Sequence, residues 1–164
     1  MSGVTIKVNL AGFESVDAAL ARLNPLQTGT LLEALARLIR EQTVDRLIAG
    51  GPAPNGSAWK PNLEGRTPIL HRSGALARSI DYTVSGTQAI VGSGLIYARI
   101  HQEGGKIVPK NGKALKFWWQ SDGHVNFATV KSVTMPARAY RGISASDRAE
   151  LIAAAVGHIR WLFG

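Results

Sequence analysis

There is no cysteine in the 164 residues of this chain. That excludes disulfides, thiolate catalysis and cysteine-ligated zinc or iron–sulfur sites. It fits synthesis in a reducing cytosol. No run approaches the ~18 consecutive apolar residues that a membrane span needs, so no membrane association is expected. The stretch Met1 to Val8 lacks a charged start followed by an apolar segment, so no signal peptide is expected either. Acidic residues are scarce: 11 Asp and Glu against 19 Lys and Arg give a formal charge of +8. A basic surface raises the case for nucleic acid or anionic protein as partner. The cations are spread along the chain, as on an ordinary solvated surface, and are densest from Lys106 to Lys116.

The familiar catalytic patterns are also missing. His101-Gln102-Glu103 has the H-x-E form of a zinc deaminase, but that chemistry needs further ligands, normally a P-C-x-x-C, around an activated water. His71, His101, His124 and His158 show no H-x-x-x-H spacing, so a metal site would rest on tertiary contact alone. Gly104-Gly105-Lys106 lacks the spacing and the following Ser or Thr of a phosphate loop. Gly92-Ser93-Gly94 lacks the third glycine of a dinucleotide fingerprint. No G-x-S-x-G surrounds Ser73 and Gly74. The reading calls for no catalytic residue, no cofactor and no metal. His101 is better placed as a residue near a helix C-terminus that bonds at an interface.

What is present reads as one α+β domain spanning residues 1–164, an antiparallel sheet with helices packed on one side. Val4, Ile6, Val8 and Leu10 alternate with polar residues, as in a half-buried strand. Ser15 to Leu23 fits a short helix broken at Asn24-Pro25. Thr30 to Ala49 is the clearest helix, with Leu32, Leu35, Ile39, Thr43 and Leu47 on one stripe and Gly50-Gly51-Pro52 ending it. Gly50 to Leu70 carries four prolines and four glycines. It reads as a long surface loop in which Trp59 either anchors the loop or docks into a partner.

Ser73 to Ile80 suits a short helix capped by Ser73. Ile80 to Val84 and Ala89 to Gly92 form a hairpin around Ser85-Gly86-Thr87. Leu95 to Gln102 is a short helix closed by Gly104-Gly105. Lys106 to Lys113 is a second loop. Ala114 to Trp119 and Val125 to Thr134 are strands joined at Ser121-Asp122-Gly123, making a β-hairpin arm. A last helix follows Ser144, with Asp147 completing a capping box and Ile152, Ala155, Val156, Ile159 and Phe163 as its apolar stripe.

Phe117-Trp118-Trp119 is the strongest aromatic cluster. In a strand, Phe117 and Trp119 share one face and Trp118 takes the other. The cluster fits packing beneath a helix or loop, a subunit interface, or a stacking platform for single-stranded nucleic acid beside Lys110, Lys113 and Lys116.

Several short segments together resemble the phage virion morphogenesis family. They are Leu70-His71-Arg72-Ser73-Gly74-Ala75-Leu76-Ala77-Arg78-Ser79-Ile80, the upstream Pro54 to Pro61, Val91-Gly92, Tyr97-Ala98-x-Ile100-His101-Gln102-x-Gly104-Gly105, Met135 to Tyr140, and Gly142-Ile143-Ser144-x-x-Asp147. They run in the family's order from about Gly50 onward. Asn55 stands where an Asp is common, and Tyr140 where Phe is usual. The resemblance implies a non-enzymatic virion component made in the host cytoplasm, with a tail-terminator or neck-like fold. It implies a ring, commonly hexameric, at the head-proximal end of the tail, in contact with tail tube protein and head-tail connector subunits. A channel crossed by DNA would suit the positive charge. The residues expected at contacts are Trp59, His101, Lys110, Lys113, Lys116, Phe117, Trp118, Trp119, Arg138 and Tyr140, with Arg138 and Tyr140 holding the sheet to the last helix. The alternatives are a basic single-stranded nucleic-acid-binding module and, as a third reading, a hydrolase around His101 and Glu103.

Overall fold

The computed structural model describes residues 4–8 and 23–163. The short helix expected over Ser15 to Leu23 lies almost wholly outside them. The elements in order are β1 (Val4–Val8), α1 (Pro25–Ala49), α2 (Ala75–Arg78), β2 (Ile80–Ser85), β3 (Gln88–Ser93), α3 (Ala98–Glu103), β4 (Gly105–Ile107), β5 (Leu115–Ser121), β6 (His124–Val130), β7 (Val133–Met135) and α4 (Ala145–Phe163).

The α+β expectation holds, but the strands form three small antiparallel sheets rather than one. The principal sheet runs β1-β3-β2; β4 pairs with β7, and β5 with β6. The segment read as one strand from Val125 to Thr134 divides at Lys131-Ser132: the part before pairs with β5, the part after with β4. The start of the expected Lys106 loop is therefore a strand.

Helix α1 begins at Pro25, five residues before the expected Thr30. Pro25 starts this helix, because a first-turn residue has no intrahelical use for the N–H that proline lacks. Asn24 caps it: its Oδ1 accepts from Gln27 N–H at 2.9 Å, and its own N–H donates to Gln27 Oε1 at 3.0 Å. This reciprocal pair is the capping-box arrangement with Asn and Gln. Leu31, Leu32, Leu35, Ala36, Ile39 and Leu47 are buried along one stripe, which packs across β2 and β3. On the sheet side Ile80, Ala89 and Val91 are buried at the period of two that a strand dictates.

Helix α4 runs antiparallel to α1. Arg46 pairs with Asp147, while Gln42, one turn earlier, donates to Glu150 Oε2 at 2.9 Å. The expected capping box is present: Ser144 N–H donates to Asp147 Oδ2 at 2.8 Å, and Asp147 N–H to Ser144 Oγ at 3.1 Å. The fully buried positions are Asp147, Leu151 and Ala155. The expected stripe omits Leu151. Ile152, Val156 and Ile159 are half-buried, and Phe163 is exposed.

Between β7 and α4 the chain runs as an irregular strap, residues 136–142, with no ladder partner. A buried strap must find hydrogen bonds elsewhere. Gln102 Oε1 accepts from the N–H groups of Tyr140 and Arg141, at 3.1 and 2.9 Å. Arg138 N–H donates to His101 O at 2.8 Å. Arg46 Nη1 donates to Tyr140 O at 2.9 Å, and Trp59 Nε1 to Ala139 O at 2.9 Å. In return the Arg138 guanidinium donates to Lys60 O and Pro61 O, at 2.6 and 2.7 Å.

Arg138 and Tyr140 do not hold the sheet to the last helix in the way expected. Arg138 fastens the long loop, and the Tyr140 hydroxyl donates to Ala98 O in α3 at 3.3 Å. Burial pushes the Tyr140 phenol up to about 12. Gly104 lets the two segments meet. Its φ is +71°, and a Cβ there would fall 2.6 Å from Ala137 N and 2.9 Å from Met135 O.

Two tests follow from these contacts. Burial by itself raises the Asp147 carboxyl, but bonds from the Ser144 backbone and hydroxyl and from Arg46 outweigh it and hold it below its ordinary value of 3.8. A depressed folded pKa gives stability that is present above the unfolded value and lost as pH falls through the folded one. Asp147→Asn should thus flatten the fall in urea stability below about pH 4. Arg46→Ala, which strands the buried carboxylate, should cost about 3–5 kcal/mol at neutral pH. Gly104→Ala should cost about 2–4 kcal/mol in thermal unfolding. Gly112→Ala, whose Cβ would meet its nearest neighbour at 3.8 Å, is the control and should change little.

Candidate interaction surface

Among the described residues, the β5–β6 hairpin forms a two-stranded sheet that no further strand joins. Its turn is Asp122-Gly123, with φ of +51° and +77°. Two positive φ values are what a two-residue type I′ turn requires, and Asp-Gly is a preferred pair for it. The register follows from this turn: Ser121 pairs with His124, Trp119 with Asn126, Trp118 with Phe127 and Phe117 with Ala128.

Alternation gives the arm two different faces. Phe117 and Trp119 lie on the inner face, half-buried, with ring centroids 5.7 Å apart. Trp118 points the other way, as its place in the strand predicts. Directly across from it stands Phe127, and the two are 58% and 78% exposed. Val125 and Lys116 share that outer face. Phe127 and Val125 were not among the expected contact residues, although the alternation of Val125, Phe127 and Thr129 carried the signal.

The inner face closes one side of a cleft of about 600 Å³. Loop residues Leu63 and Ile69 form the opposite side, with Met135, His101 and Arg138 between. Trp59 does not open onto the cleft. It is buried in its own fold and bonded to the strap, so of its two possible roles the structure shows the anchor. At the rim, Glu64 pairs with both Arg66 and Arg72 at 3.1 Å.

The structure gathers His101, Arg138, Phe117 and Trp119 around this cleft, and Trp118 borders it from the outer face of β5. Tyr140 is buried behind it, and Lys110 and Lys113 are exposed in the loop before β5. His101 packs edge-on against Tyr97 with centroids 5.9 Å apart. Its Nδ1 is buried with no hydrogen-bond partner. Desolvation, and then the charge of Arg138, lower its pKa and favour the neutral ring. Glu103 does not join it: the carboxylate lies on the surface and pairs with Arg99 at 2.8 Å. Among the described residues no three His, Asp or Glu side chains come together as metal ligands, and no helix is long and apolar enough to cross a membrane. The role of Gln102 had no sequence signal, since its bonds reach residues 38 and 39 positions away.

The two distinctive motifs, Tyr97 to Gly105 and Met135 to Ile143, are thus bonded to each other and serve the fold. The outward aromatic pair and the cleft lie outside that frame and open to solvent. No curated protein and no solved structure matches the chain. The family model of the phage virion morphogenesis family matches residues 9–159. The chain belongs to that family, and its role is a structural one in assembling the phage virion.

Proposed function

We propose that this protein forms a ring, hexameric in copy number, at the head-proximal end of the phage tail. There it completes the tail, joins it to the head connector, or both. Its neighbours are copies of itself, the tail tube protein and the head-tail connector proteins.

The observation that carries this reading is the arm. A two-stranded hairpin that, among the described residues, extends no other sheet, and turns Trp118 and Phe127 into solvent, has the composition of an interface core. A ring needs two different complementary patches on each subunit, because cyclic contacts run head to tail. The arm supplies one without any catalytic pocket. The +8 charge suits a channel crossed by DNA, where attraction to phosphate is independent of sequence.

Replacing Trp118 and Phe127 together by Ala should leave unfolding stability within about 1 kcal/mol, because both side chains are exposed. Ring formation should be lost in native mass spectrometry. Wild-type protein that stays monomeric even with tail tube protein present sinks the reading. Electron microscopy of a gene-deletion lysate separates its two forms: free full heads beside free tails mean joining, and tails of uncontrolled length mean termination.

One further observation favours a second reading, a module for single-stranded nucleic acid. Lys116 and Trp118 stand two residues apart on the outer face of β5, a cation beside a stacking surface. It predicts binding of a single-stranded oligonucleotide that weakens with salt and again on Trp118→Ala. No binding at low salt removes it.

A further inference from the structure

Apart from the arm, the chain exposes a second large aromatic with no partner in its own core. Trp161, in the last turn of α4, is 80% exposed. Its ring lies beside that of His158 on the same helix, with centroids 6.1 Å apart. A side chain of this kind carries about 150–250 Å² that gains by burial. The cleft has the complementary character: aromatic Phe117 and Trp119 on one side, and Leu63, itself 62% exposed, at its mouth. Its volume of about 600 Å³ falls within the ~300–1,000 Å³ of sites that enclose a compact group.

The rim and the helix end also complement each other as donors and acceptors. Arg66 and Arg72 share the single carboxylate of Glu64, and Lys60 also lines the cleft, so this rim carries a positive excess. The last four carbonyls of α4 lack intrahelical partners and are free to accept hydrogen bonds from such cations. Arg160 is the cation of that last turn. It projects about 100° around the helix from Trp161, so it can remain outside while Trp161 enters.

The two patches cannot meet within one chain. The cleft lies by the C-terminal end of α1, where a Cβ on Gly50 would touch Pro68 at 3.1 Å, next to the cleft residue Ile69. Helix α4 starts at that same end, through Arg46 and Asp147, and runs back antiparallel. Over the 14 positions from Asp147 to Trp161 it rises about 21 Å away from it. We infer that the cleft between the long loop and the arm receives Trp161 of a second copy, giving a head-to-tail contact. This rests on the ring reading and names the two patches that such a ring joins.

The absence of cysteine makes the test clean. The full-length chain carrying both Leu63→Cys and Arg160→Cys, which keeps Trp161, is treated with a short bismaleimide. Covalent ladders ending at the ring's copy number are expected, and an equimolar mixture of the two single variants should give dimers only. Trp161→Ala should raise the concentration needed for assembly at least about tenfold with an unchanged circular dichroism spectrum. Rings that form without this cross-link, and assemble equally well with Trp161→Ala, overturn the inference and leave the ring standing. Cross-linked open chains without rings support the contact and overturn the ring. Monomers without any cross-link overturn both.

Discussion

Most of this fold depends on satisfying the backbone of one buried, irregular segment. The strap 136–142 belongs to no helix or sheet, yet it is largely half-buried, with Arg138 and Tyr140 buried. Its polar groups are met by side chains from distant places: Gln102 in α3, Arg46 in α1, and Trp59 in the long loop. A backbone group left unpaired there would cost about as much as a lost hydrogen bond with its desolvation, roughly 1–3 kcal/mol. Because one strap collects bonds from several elements, it also sets their relative positions. The long loop is held as firmly as it is because Arg138 reaches from the strap to its carbonyls.

This explains why the motifs shared with the virion morphogenesis family do not form a site. His101 offers its carbonyl to the strap, Gln102 its amide, and Gly104 the space in which the two segments meet. Outside that frame lie a hairpin, a loop rim and a helix end. A structural protein of a virion is expected to separate these roles, since its work is done by surfaces that neighbours cover.

Much of the local structure was legible in the sequence. The stripe of α1, the β2–β3 hairpin, the Asp122-Gly123 turn and the opposed faces of Phe117 and Trp118 all follow from periods of 3.6 and 2. The capping box at Ser144 was legible as well. Three features were not. Asn24-Pro25 carries both a stop and a start signal, and the start depends on a side-chain pair with Gln27 that propensity alone does not rank. The β4–β7 pairing joins residues about 28 positions apart through three-residue strands, too short to show alternation. The strap has no period at all, so neither its burial nor the roles of Gln102 and Arg138 could be read from spacing. The aromatic cluster was legible as a cluster, but the cleft that Phe117 and Trp119 line together with Leu63 and Ile69 was not.

The arm combines two kinds of constraint. Within it, directional hydrogen bonds fix the register and the shape. Among the described residues no ladder ties it to the rest of the fold, and Phe117 and Trp119 rest toward the cleft, a contact that is apolar and indifferent to direction. Shape and aim are therefore held by separate forces. A neighbour that competes for those two rings can re-aim the arm as a rigid piece without breaking a single backbone bond within it.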